Sequence, residues 1–123
     1  EKSDRVIQNF LKLIEYFGCT YYIENPRGYL RKMPFMQGIP RTTVTYCSYG
    51  DTRMKPTDIW SNNIYNPLFN YKGWKHKKIC HNGNKNCHHE AAPRGSRTGT
   101  QGQANNYERS KIPSELCKEI LLS

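Results

Sequence analysis

Along residues 4–17, DRVIQNFLKLIEYF, apolar side chains fall at Val6, Ile7, Phe10, Leu11, Leu13, Ile14 and Phe17. Spacings of three and four residues put them on one side of an α-helix, so an amphipathic helix is predicted here. Ser3 or Asp4 stands where a cap would start it, and Gly18 where a helix stops. Residues 20–24, TYYIE, are β-branched and aromatic and predict a strand directly after the helix. Residues 26–41 are broken by Pro26, Gly28, Pro34, Gly38 and Pro40 and read as a loop with one helical turn at most. A second strand is expected over 42–48, TTVTYCS, a turn over 49–53, and a third strand over 57–61, TDIWS. The last two are close enough to pair as a hairpin. Ile112, Leu116, Ile120 and Leu121 make the apolar face of a closing helix over 113–122, with Ser110 as a possible cap and Pro113 in its first turn. The order is that of an α/β fold.

The pattern fails between Asn63 and Asn105. Seven Asn, five Gly and all four His lie there, with seven cations against the single acid Glu90. A loop of this length without periodicity is uncommon in a compact domain and is usually functional or disordered. The chain thus divides into an α/β core, 1–62 and 108–123, and a basic Cys/His-rich segment, 63–107, that reads as an insertion.

Composition sharpens this division. The 123 residues suit one domain, and 36% hydrophobic content leaves only a modest core, helped by 12% aromatics. Nineteen Lys and Arg against ten Asp and Glu give a net charge of +9, which points to an anionic partner, double-stranded DNA first among them. There is no apolar run long enough to span a membrane. The five cysteines, Cys19, Cys47, Cys80, Cys87 and Cys117, are odd in number and unevenly spaced. That is a poor disulfide framework and implies a reducing compartment, with metal binding as the use to test.

Two stretches carry candidate chemistry. The first is Tyr21-Tyr22-Ile23-Glu24-Asn25-Pro26-Arg27, in which a strand runs into a carboxyl, an amide and a proline, with Arg27, Arg31 and Lys32 close behind. The plain reading is an acid paired with Arg27 or Arg31, or one that caps the next turn. The functional reading places Glu24 at the carboxyl end of a strand, where open α/β sheets bind ligands. The second stretch is Cys80-His81-Asn82-Gly83-Asn84-Lys85-Asn86-Cys87-His88-His89. Zinc takes four S or N ligands in a tetrahedron. Cys80, Cys87, His88 and His89 are the expected ligands, with Cys47 or His81 as alternatives for one position. The plain reading is a polar loop with incidental thiols and imidazoles, since the spacing is not a standard knuckle.

Tyr49-Gly50 followed by Arg53-x-Lys55 and a hydrophobic strand, downstream of Ile23-Glu24-Asn25-Pro26, resembles the DNA cytosine-C5 methyltransferases, small phage-type members in particular. Ile23-Glu24-Asn25-Pro26 is similar to the family's Glu-Asn strand end. Arg53-Met54-Lys55-Pro56-Thr57 is similar to its Gln-x-Arg-x-Arg run, with Thr57 at the last Arg. Ser110-Lys111-Ile112-Pro113 is similar, more loosely, to its closing Asn-x-Val-Pro. The resemblance implies the C-terminal part of a Rossmann-like methyltransferase sheet. It implies catalytic roles for Glu24, Asn25, Arg53 and Lys55, with Glu24 holding a flipped cytosine and the two cations stabilising charge on its ring. It further implies S-adenosylmethionine as cofactor, a target-recognition role for 63–107 and a bacterial, phage-encoded setting in the cytoplasm. The family's glycine-rich cofactor loop and Pro-Cys nucleophile have no counterpart in the chain. The expectation is therefore the base-holding half of such an enzyme, completed by another half, or an inactive relative.

The remaining cations complete the picture of a DNA-facing surface. Lys75, Lys77 and Lys78 flank Trp74, and Arg94 and Arg97 sit among glycines and hydroxyls in PRGSRTGTQG. With Arg27, Arg31 and Lys32 they are the expected phosphate contacts. The rival readings are a non-enzymatic zinc-stapled DNA-binding protein, an interaction module derived from a methyltransferase, and a Cys/His hydrolase using Cys47 or Cys87. No glycine elbow supports the last.

Overall fold

The computed structural model describes residues 2–63, 77, 79–90 and 110–121. Helix α1, Lys2–Phe17, is followed by strand β1, Tyr22–Pro26, and two 3-10 turns, Tyr29–Lys32 and Pro34–Met36. Strand β2, Arg41–Thr45, runs into a third 3-10 turn, Tyr46–Tyr49, and then strand β3, Pro56–Ser61. Helix α2, Ser114–Leu121, closes the described chain. The result is a small α/β fold on a three-stranded antiparallel sheet. Among the described residues, no helix is long and apolar enough to cross a membrane.

The sheet order is β1-β3-β2, with β3 antiparallel to both neighbours. The expected hairpin of β2 and β3 forms, with Val44 opposite Thr57 and Thr42 opposite Ile59, but β2 ends at Thr45 and not at Ser48, because the ladder with β3 stops at the pair Thr45–Pro56 and the chain turns at Tyr46–Tyr49. Because β3 is central, it is buried on both faces from Thr57 to Ser61. Alternation sends its residues to two cores. Ile59 joins Val44, Tyr46, Tyr49 and Leu116, beneath α2. Trp60 joins Leu30 and Met36, with Ile7 and Leu11 of α1 packed against them.

Local chemistry explains the boundaries. Gly18 ends α1 with φ +67°, a left-handed conformation that suits glycine, and its N–H bonds back to the Ile14 carbonyl at 2.7 Å. The helix begins at Lys2, so Ser3 and Asp4 fall inside its first turn instead of before it. There Asp4 is near the positive end of the helix dipole. Pro113 precedes α2, and its carbonyl accepts the Cys117 N–H at 3.1 Å, so it caps the helix and does not occupy its first turn. The stretch expected to hold at most one helical turn holds two. They bring Leu30 and Met36 under Trp60, and apolar burial compensates for their short, weak ladders.

Two expectations need correction. The strand expected to end at Glu24 continues to Pro26, because the ladder with β3 runs on to the pair Pro26–Thr57 and the Arg27 N–H still donates to Pro56 O at 3.0 Å. Glu24 therefore lies within β1, opposite Ile59, not at its end. Helix α1 also buries less than its pattern suggests. Ile7 and Leu11 pack on the Trp60 core, but Val6 is 67% exposed, Leu13 56% and Phe17 70%. Seven apolar positions cover too wide an arc for one sheet face to bury.

Candidate functional site

Two residue clusters meet at the 3-10 turn Tyr46–Tyr49. The first centres on the Tyr46 ring, which is fully buried. Tyr46 leaves β2 on the α2 side of the sheet, and Glu24 projects from β1 to the same side. The Tyr46 hydroxyl donates to Glu24 Oε1 at 2.9 Å. Lys55 Nζ lies 5.2 Å from the centroid of the Tyr46 ring and Arg53 Cζ 5.5 Å from it. Both distances suit cation–π attraction. Burial, reinforced by the Glu24 carboxylate, pushes the Tyr46 phenol well above its ordinary range, so it stays a hydrogen-bond donor.

The four residues expected to be catalytic are thus partly assembled. Glu24, Arg53 and Lys55 converge on one ring. Asn25 points to the opposite face, as alternation requires, and its amide donates to Pro26 O at 3.2 Å. Arg53 is 5% exposed and its fork is engaged in the fold. It donates to Asp51 Oδ1 at 3.0 Å, to Asp51 Oδ2 at 2.7 Å and to the Lys111 carbonyl at 3.0 Å. The Arg53 hydrogen bonds outweigh the burial that would raise the Asp51 carboxyl and hold it below the usual range. Lys55 has the unusual φ of +31° for a residue with a side chain. Tyr46 is the one member of the group that the motifs above do not contain. Its signal was available in TVTYC, an aromatic one step past a strand and beside a cysteine.

The second cluster is Cys47, Cys80, Cys87 and His89. One ligand atom from each lies within 4.8 Å of all the others, and all four residues are half-buried. Cys80 Sγ is 3.4 Å and Cys87 Sγ 3.2 Å from His89 Nε2. Donors on a tetrahedral zinc stand about 3.6 Å apart, so this set could hold a metal ion with little adjustment. Asn84 Nδ2 donates to Cys80 Sγ at 3.3 Å, the kind of outer hydrogen bond that orients a metal thiolate. Backbone contacts bring the loop here: the Cys80 N–H donates to Thr45 Oγ1 at 2.9 Å and the Glu90 N–H to Thr52 O at 2.9 Å. Burial, and then hydrogen bonding to Cys80, pushes the Cys47 thiol up to about 12. At Cys80 burial also acts upward, but hydrogen bonds from Asn84 and Cys47 outweigh it and lower the thiol. A divalent cation would remove the penalty on ionising all three.

This set corrects one expected ligand. His88 is exposed and is not among the four; Cys47 from the β2–β3 connection takes its place. Burial alternates through Cys87, His88, His89 and Glu90, so Cys87 and His89 share a side and His88 faces away. His81 is also exposed, with Nδ1 3.1 Å from the Asn82 carbonyl.

The expected phosphate contacts differ in their commitments. Arg27 and Lys32 are exposed. Arg31 faces the sheet, with Nε donating to Asp58 Oδ2 at 2.8 Å and a terminal nitrogen to Thr43 Oγ1 at 3.1 Å. Lys77 sits 4.8 Å from the Tyr49 ring and 3.3 Å from Glu115 Oε2. Lys75, Lys78, Arg94, Arg97 and Trp74 lie outside the described residues.

No family model matches the chain, and neither a curated protein nor a solved structure matches it.

Proposed function

We propose that the chain is the DNA-facing, base-holding half of a cytosine-C5 methyltransferase-like protein, with zinc ordering residues 79–90 against the β2–β3 connection. The observation that carries this reading is the convergence of Glu24, Lys55 and Arg53 on Tyr46. A cytosine presents an exocyclic amine and a ring nitrogen on its Watson–Crick edge. A carboxyl can accept from the first and, when protonated, donate to the second. Tyr46 holds one oxygen of Glu24, which leaves the other for the base. Arg53 and Lys55 both stand over the Tyr46 ring, and a cation beside Glu24 is suited to meet charge that develops on the base's ring oxygen. The net charge of +9 supports a polyanion as the partner.

The residues do not fit a site for S-adenosylmethionine. The chain has neither the glycine-rich loop nor the Pro-Cys nucleophile that the resemblance calls for. The reaction would need both from a second half, and the role argued for this chain stops at holding the base. A second reading, a zinc-stabilised DNA-binding protein without catalysis, rests on the Cys47–Cys80–Cys87–His89 group, which requires no base.

The test combines the chain with a protein that supplies the cofactor loop and Pro-Cys motif, tritiated S-adenosylmethionine and duplex DNA. Label should enter DNA only in the mixture. Glu24→Gln should abolish the transfer and leave DNA retention intact. Retention of DNA without transfer in any mixture would favour the second reading, and retention independent of salt would oppose both.

A further inference from the structure

The 3-10 turn after β1 carries a feature that the Glu24 reading leaves unused. Tyr29 is 79% exposed, although its neighbour Leu30 is buried beneath Trp60. The anchored Leu30 fixes the turn and holds the Tyr29 ring out of the core. Lys32 Nζ stands 5.5 Å from the centroid of that ring. Beside it opens a cleft of about 590 Å³, within the range of small-ligand sites. Ile7, Leu30 and Met33 give it an apolar floor, Asn25, Arg27 and Tyr29 line it with polar and aromatic groups, and the Asp4 carboxyl of α1 lines it as the one acid against Arg27. A shallower depression of about 300 Å³ continues past Tyr29 to Arg31 and Lys32.

We infer that Tyr29 and this cleft bind an unpaired nucleobase of a DNA strand. The inference rests on the DNA-facing reading above. An exposed flat ring beside an apolar floor offers a stacking platform that every base can use, and Arg27 and Lys32 flank it where the adjoining phosphates would run. The cation over Tyr29 adds to a stack on its other face. The charge argues against a peptide: two exposed cations, Arg27 and Lys32, border the ring, in a chain of net charge +9. The site is separate from Glu24. Asn25 and Glu24 leave β1 on opposite faces, so the Tyr29 cleft would hold a different base from the one at Glu24.

The test measures binding of the whole chain to two short duplexes that differ only in one unpaired 2-aminopurine bulge. The bulged duplex should bind about tenfold tighter than the paired one, the order that one aromatic–base stack supplies, and its fluorescence should be quenched. Tyr29→Ala should remove both the preference and the quench, and Tyr29→Phe should keep them. Equal, salt-dependent binding of the two duplexes by the unmodified chain would overturn the stacking site and leave the DNA reading standing. A preference that survives Tyr29→Ala would also overturn it. Failure to bind either duplex would remove the DNA reading and this inference together.

Discussion

The Tyr46 hydroxyl donates to Glu24 Oε1 at 2.9 Å from a ring with no exposed surface, across a sheet in which β1 and β2 do not touch. The bond spans the width of β3 and fixes where the carboxylate points. Tyr46→Phe keeps the ring and removes the donor. A hydrogen bond to a charged group contributes roughly 1.5–3 kcal/mol, and the half-buried state of Glu24 places the loss toward the lower figure. Urea denaturation should show that drop, and carbodiimide labelling of Glu24 should become faster. An unchanged midpoint with unchanged labelling would mean the bond orients nothing.

The Cys47, Cys80, Cys87 and His89 group makes a separate prediction. Protein purified without added metal should carry about one equivalent of zinc by elemental analysis, as a closed structural site requires. Cys47→Ala and His89→Ala should each lower the content sharply, while His88→Ala should not. A strong chelator should raise proteolysis within 79–90 and leave the β1-β3-β2 sheet protected, because the metal would join Cys80, Cys87 and His89 of the loop to Cys47 of the core, and the sheet's own ladder does not involve it. Zinc below about a tenth of an equivalent in the unmodified chain would rule the site out.

Much of this was legible in the sequence, for identifiable reasons. The α1 periodicity, the β-branched run of β3 and the stop at Gly18 are local signals, and those elements formed where the signals stand, whereas β2 stops at Thr45 and TTVTYCS gives no sign that Tyr46–Tyr49 winds into a 3-10 turn. What the sequence could not show was tertiary. The choice of Cys47 over His88 depends on the Thr45–Cys80 and Thr52–Glu90 hydrogen bonds, which join residues far apart in the chain. The extension of β1 past Glu24 depends on pairing with β3, and no property of Glu24 or Asn25 announces it. The Glu24–Tyr46 bond was hidden for the same reason: its partners are brought together only once β3 lies between their strands.

Asp58 predicts an acid-sensitive core. It is fully buried, accepts from Arg31 Nε at 2.8 Å and from the Thr43 hydroxyl at 2.7 Å, and pairs with the Arg31 guanidinium. Burial acts to raise its carboxyl, but the hydrogen bonds of Arg31 and Thr43 outweigh this and hold it below the ordinary value. A depressed carboxyl contributes stability that is complete above its unfolded value, about 3.9, and is lost as pH falls through the folded one. Denaturation midpoints should therefore be flat at neutral pH and fall below about pH 4. Asp58→Asn should flatten that decline. It should also destabilise the fold at pH 7 by roughly 1.5–3 kcal/mol, the order of a lost hydrogen bond to a charged group, since Arg31 keeps part of its hydration. An acid limb of the same steepness in Asp58→Asn would assign the effect to other carboxylates.

Gly50 and Gly28 make a paired prediction about the turn that carries Tyr46 and Cys47. Gly50 ends the 3-10 turn at φ +91°, and its N–H bonds to the Tyr46 carbonyl. A methyl group there would meet the Glu115 side chain at 3.5 Å, an ordinary contact, so the penalty is conformational and not steric. Left-handed backbone costs a residue with a side chain roughly 1–2 kcal/mol. Gly28 has an extended φ of −178°, which any residue adopts, and an added methyl would meet only the Pro26 carbonyl at 3.7 Å. Gly50→Ala should therefore lower the unfolding free energy by that amount and with it the denaturation midpoint, and Gly28→Ala should leave both unchanged. Because the strained turn presents both Tyr46 and Cys47, Gly50→Ala should also weaken zinc retention under a chelator, with Gly28→Ala behaving as the unmodified chain. Equal midpoints for the two variants would show that the turn adapts, and the placement of Tyr46 and Cys47 would then owe nothing to the glycine.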